Sequence, residues 1–219
     1  MKTTRTNRLG WLAFISMMGA LGNALFFLST LFSVGQISID ASHLGTMVAA
    51  IFGGPLTGLI VGIIVGIGPG IWFGPLGGLG FLGFVGLPLG KGLTGFFLGL
   101  IADRIRIHGR NAKSLLTIGA VALGFVPESL FTIYFFQVLV KMYIPAMADF
   151  TLPILLAILP KSWLEIIILG GIMGALVSNK GVLSFFVKVM PWRAKQLNFY
   201  PITNATSAPK ATSAPEADA

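Results

Sequence analysis

Cysteine is absent from the 219 residues, which excludes a disulfide framework, a thiolate metal site and a cysteine nucleophile. Acidic residues number seven and histidines two. Neither group clusters as a metal site requires. The two histidines also fall in loops on opposite sides of the membrane topology derived below, so no serine–histidine–acid set can assemble. An enzyme and a bound cofactor or metal are therefore not expected. Charge is scarce in general: 10% of residues are charged against 55% hydrophobic, with a mean hydropathy of +0.88. That composition lies outside the globular range and inside the membrane class. A net charge of +8 would suggest nucleic acid in a soluble protein. Here the basic residues sit between and beyond apolar runs, where they report topology instead.

What is abundant is glycine, and it is concentrated. Eighteen of the 29 glycines lie between Gly45 and Gly99, and between Asp40 and Asp103 the ionisable side chains are His43 and Lys91 alone. Gly54, Gly58, Gly62, Gly66 and Gly70 recur every four residues. On a helix this aligns a ridge of bare backbone that a neighbouring helix can approach closely in lipid.

The pattern predicts an all-α integral membrane protein with six transmembrane helices. Residues 1–8 form a basic N-terminus. Residues 9–32 are an uninterrupted apolar run of about the ~20 residues a span needs, and too long for the ~7–15-residue core of a signal peptide. After a polar loop come a half-length second helix (43–52), the turn Gly53-Gly54-Pro55 and a short third helix (55–71). Residues 72–86, rich in Gly, Pro and aromatics, read as a re-entrant or mouth-lining loop. Helices over 87–102, 115–140 and 162–177 follow, separated by a basic break (103–113) and an irregular proline-bearing segment (141–161). The membrane domain thus covers 9–178. Residues 179–195 interleave apolar and basic side chains (Leu183, Phe185, Phe186, Met190 and Trp192 with Lys188, Arg193 and Lys195), as an interfacial segment on an anionic leaflet would. Residues 196–219 carry a doubled ATSAP and too little apolar content to fold. Twelve of the 15 Lys and Arg residues fall before the first helix, between the fourth and fifth, or after the sixth. That bias predicts two cytoplasmic termini and outward loops at 33–41, 72–86 and 141–161.

Two phosphate-binding patterns fail on inspection. Gly78-Leu-Gly80-Phe-Leu-Gly83 satisfies the dinucleotide fingerprint in letters, but without a preceding strand. The run from Gly86 to Gly92 has the wrong glycine spacing for a phosphate loop and no Ser or Thr after Lys91. Any ATP use belongs to a partner. The charges inside the later helices are Lys91, Glu128 and Glu165. Such residues usually face a cavity or one another, because a charge at mid-bilayer costs ~2.5–3.5 kcal/mol on insertion scales. Lys91, placed near the outer start of the fourth helix, reads as a substrate contact, or else as the partner of a buried Glu128. Tyr134, Gln137 and Lys141 share one helical face by their spacing, bordering an outward cavity. Lys161 and Glu165, four apart at the outer end of the sixth helix, stand beside Trp163. Asp40, His43 and Trp72 come from the outward loops. Together these polar and aromatic groups describe a small-molecule site.

The short second and third helices, the GGPLTG turn, the glycine-rich third loop, the basic loop after the fourth helix and the proline-rich fifth loop resemble the substrate-binding S components of energy-coupling factor (ECF) vitamin transporters. Residues 40–97 carry most of the likeness. Ala20 and Ala24, in Ala20-Leu-Gly-Asn-Ala24, are similar to the Ala-x-x-x-Ala motif with which such proteins dock on a membrane-embedded coupling (T) subunit. The resemblance implies a vitamin-capture subunit of the cell membrane, working with that subunit and two ATPase subunits. The run from Gly77 to Gly95 resembles biotin-specific members, whereas ISIDASHLG and LPKSWLEI look like riboflavin-type proteins. The vitamin stays open on this evidence. The competing class is an intramembrane enzyme or a stand-alone small-molecule channel.

Overall fold

The computed structural model describes residues 4–31, 40–107, 113–190 and 193, and no strand occurs among them. The helices are α1 (Thr4–Leu31), α2 (His43–Gly53), α3 (Pro55–Phe73), α4 (Gly80–Ile105), α5 (Lys113–Tyr134), α6 (Thr151–Ser178) and α7 (Lys180–Val189). Helix α5 continues through a π-helical stretch, Phe135–Val140, into a last turn, Lys141–Tyr143, and a 3-10 turn, Pro145–Phe150, leads to α6. Five of these helical stretches are long and apolar enough to cross a membrane. Helix α2, with 11 residues, reaches only about 16 Å at 1.5 Å per residue.

The glycine ridge does what its spacing predicts. A Cβ built on Gly58 would collide with the Gly95 carbonyl, one on Gly62 with the Lys91 carbonyl, and one on Gly66 with Pro88 Cα. At Gly70 it would come within 3.0 Å of the Phe84 carbonyl. Antiparallel α3 and α4 therefore meet backbone against backbone over almost the whole of α3. Helix α1 runs parallel to α3 and is joined to it by polar bonds. Trp11 Nε1 donates to Thr57 Oγ1 at 2.9 Å. Asn23 inserts into the hydrogen-bond ladder of α3, donating to the Ile64 carbonyl (2.8 Å) and accepting from Gly68 N–H (2.9 Å), one of the recognised ways in which a side chain perturbs a helix.

Helix α2 is wrapped by the others, and Met47, Ala49, Ala50, Ile51 and Phe52 are almost fully buried. A separate apolar cluster of Leu79, Phe135, Phe136, Val140 and Leu155 joins the start of α4, the π-helical stretch and the start of α6.

Several sequence-based boundaries shift. Helix α3 has 19 residues and is a full-length span, not a short helix. Helix α4 begins at Gly80, so the mouth-lining loop expected over 72–86 contracts to residues 74–79. Helix α6 begins at Thr151 and carries Pro160 inside it. Proline marks no boundary there, because a missing backbone donor is tolerable where the surrounding backbone can re-satisfy the freed carbonyl. Helix α7 is capped by Asn179, whose Oδ1 accepts from Gly181 and Val182 N–H at 2.8 and 3.3 Å. Its Leu183 and Phe186 pack into the bundle, with Phe186 stacked on Phe52 at 4.1 Å. Arg193 is buried, donating to Asp103 (2.7 Å) and to the Phe52 carbonyl (3.2 Å), which overturns its expected place among lipid headgroups. The loop at 33–39, His108, Arg110, Trp192, Lys195 and the 196–219 tail lie outside the described residues.

Candidate functional site

A seam of polar side chains crosses the middle of the bundle. Lys91 is the twelfth of the 26 residues of α4, and Glu165 the fifteenth of the 28 of α6. Both therefore stand halfway along their helices, not at the outer ends where their positions in the sequence placed them. The turn leading into α2, residues 40–42, supplies the complementary groups at this level. Lys91 Nζ donates to Asp40 Oδ2 at 3.0 Å and to Ser42 Oγ at 2.7 Å. The other Asp40 oxygen accepts from Ser42 N–H at 2.9 Å, and Asp40 N–H donates to Glu165 Oε1 at 3.0 Å. Lys161 Nζ approaches the same Glu165 oxygen at 3.5 Å. Three elements thus converge through charge-assisted bonds, the stronger class of hydrogen bond.

Lys91 is 3% exposed, so its ammonium depends on these partners. Burial by itself would raise the Asp40 carboxyl. That is the largest single influence, but the Lys91 ammonium, His43 and the hydrogen bonds from Ser42 together outweigh it and hold the group well below the usual carboxylate range.

A second constellation adjoins the first. Glu128 Oε2 is hydrogen-bonded to the Thr94 hydroxyl, while Glu128 Oε1 stands 3.7 Å from His43 Nε2. This replaces the Lys91–Glu128 pair that the sequence suggested: Asp40 and Ser42 take the lysine, leaving the glutamate to Thr94 and His43. His43 stacks edge-on against Phe125 at 6.0 Å, and Phe125 against Trp163 at 5.3 Å, which forms one apolar wall. Gly90 lets α4 close on this region, its Cβ position lying 3.4 Å from Glu128 Cγ.

The structure therefore brings together Asp40, His43, Lys91, Glu128, Lys161, Trp163 and Glu165. It does not bring in Trp72, 45% exposed in the last turn of α3, nor Tyr134, 50% exposed at the end of α5. Lys141 is exposed as well. The supposed face of Tyr134, Gln137 and Lys141 is broken by the π-helical stretch, which changes the angular step between them. Gln137 turns inward there, with Nε2 buried and without a hydrogen-bond partner. Residues that sequence reasoning missed are Ser42, Thr94 and Phe125. Thr94 stands three residues after Lys91, on the same helical face by spacing, which was the available signal. Ala20 and Ala24 are exposed on the outer face of α1. Among the described residues no group of acidic and histidine side chains could hold a metal ion. Comparison with protein-family models, curated proteins and solved structures gives no match.

Proposed function

We propose that this chain is the substrate-capture subunit of an ECF-type vitamin importer, an S component. It takes a small vitamin from the outer face and passes it to a coupling subunit driven by two ATPases. The observation that carries this reading is the mid-bundle seam, where Asp40, His43, Lys91, Glu128 and Glu165 converge from four elements in an otherwise apolar chain. Ionisable groups at that depth usually serve a substrate or ion pathway. Trp163 and Phe125 beside them add the apolar wall a ring-bearing ligand needs. The exposed pair Ala20 and Ala24 supports the docking role, since small residues four apart admit a partner helix. Both termini are cytoplasmic in this reading, so a cysteine placed at Asp149 reacts with an impermeant thiol reagent from outside and one at Ser114 does not.

Isothermal titration of the purified chain against a vitamin panel including biotin and riboflavin tests the proposal. Binding of one vitamin in the nanomolar range is expected, and absence of binding to every member would overturn it.

A further inference from the structure

The charges in the seam do not cancel. Asp40 is matched by Lys91 at 3.0 Å and Glu165 by Lys161 at 3.5 Å, which leaves Glu128, whose side chain is 13% exposed. Its partners among the described residues are the Thr94 hydroxyl and His43 Nε2. The other charges acting on this pair are Lys91, whose ammonium opposes a positive charge on the ring, and Asp40, which favours one; α3 contains no ionisable side chain, and those of α1 are Arg5 and Arg8 near its start. A carboxylate so placed needs a neighbouring group that offsets its charge. The ring beside it is 7% exposed, and its Nδ1 has no hydrogen-bond partner. Nothing therefore fixes its tautomer, and it can take up a proton or accept one from the carboxyl.

We propose that His43 and Glu128 form a proton-binding site that holds one proton between α2 and α5 at neutral pH. The pair is neutralised in either arrangement: imidazolium facing carboxylate, or a protonated carboxyl donating to a neutral ring. For a coupled pair the proton belongs to both groups. The bound proton draws the first turn of α2 toward α5. Immediately before that turn stand Asp40 and Ser42, which grip Lys91. Loss of the proton leaves an ionised carboxyl and a neutral ring, so a charge-neutral tie between α2 and α5 gives way to a single hydrogen bond from the ring beside an uncompensated charge. The seam is thereby made responsive to protons, whichever solute it binds.

The chain has two histidines, so His108→Gln leaves His43 as the sole imidazole. The test is nitrogen NMR of that ring, with carbon NMR of glutamate carboxyls, on the full chain in lipid nanodiscs at pH 7. Glu128 is assigned by Glu128→Gln, or by Glu165→Gln and Glu216→Gln where Glu128→Gln does not fold. An imidazolium with an ionised Glu128, or a neutral ring with a protonated Glu128, supports the proposal. A neutral ring together with an ionised Glu128 overturns it. In Glu128→Gln the ring is expected to be neutral, and an imidazolium persisting there overturns the site as well.

Discussion

The two halves of the bundle are built by opposite means. Helices α3 and α4 touch through bare backbone, with a glycine of α3 facing backbone atoms of α4 at every turn. Helices α5 and α6 reach their neighbours mainly through side chains, with isolated close approaches at Gly124 (against Leu98) and Gly174 (against Ser114) and with a π-helical stretch, a 3-10 turn and interior prolines along the way. The first kind of contact tolerates no added atom, because no side chain can swing aside. The second adapts, and the polar seam lies where the two meet: Lys91 and Thr94 are contributed by the rigid pair, Glu128 and Glu165 by the adaptable one.

The sharpest way to break this contrast is Gly62→Leu, whose Cβ would occupy the position of the Lys91 carbonyl. Overpacking against backbone is expected to destabilise by more than about 3 kcal/mol, with loss of the monodisperse peak in fluorescence-detected size exclusion. Gly119→Leu, where nothing lies within 4 Å, should change stability by no more than about 0.5 kcal/mol. Equal behaviour of the two variants would remove the distinction. Next in size is Lys91→Met, which strands Asp40 and Ser42. A loss of about 2–3 kcal/mol is expected, moderated because Asp40 keeps 25% of its side-chain surface, and thermal unfolding in detergent measures it. Arg193→Ala should cost about 1–2 kcal/mol, since Asp103 is one-third exposed. In limited proteolysis it should free the C-terminal segment before the bundle opens. Smallest for the isolated chain is Ala24→Trp on the open face of α1, within about 0.5 kcal/mol and without effect on vitamin binding. ATP-driven uptake should nevertheless be abolished; normal uptake would leave that face without a docking role.

Legibility in the sequence followed the same division. The glycine period dictates a close helix pair whatever surrounds it, and the α3–α4 contact formed as its spacing required. The hydrophobic runs likewise announced the long helices. Boundaries failed where glycine and proline were read as breakers: residues 80–86 and 151–161 are helical, because lipid-facing helices keep such residues when their neighbours re-satisfy the backbone. Depth was then misjudged as a consequence. With α6 starting at Thr151, Lys161 and Glu165 move from the outer end to the middle of the span. Tyr134, Gln137 and Lys141 failed because a π-helical stretch has no signature in residue spacing. The pairing of Lys91 with Asp40 instead of Glu128 was likewise not readable, since it depends on the turn before α2 meeting α4 at mid-bundle.

The seat of the ligand can be tested directly by titrating the vitamin bound by the wild type into Lys91→Met and Tyr134→Phe, each first shown to be folded. If the mid-bundle seam holds the ligand, Lys91→Met weakens binding at least tenfold, about 1.4 kcal/mol, and Tyr134→Phe leaves it unchanged. Full affinity in Lys91→Met, with loss in Tyr134→Phe, would contradict the assignment and move the site to the outer end of α5.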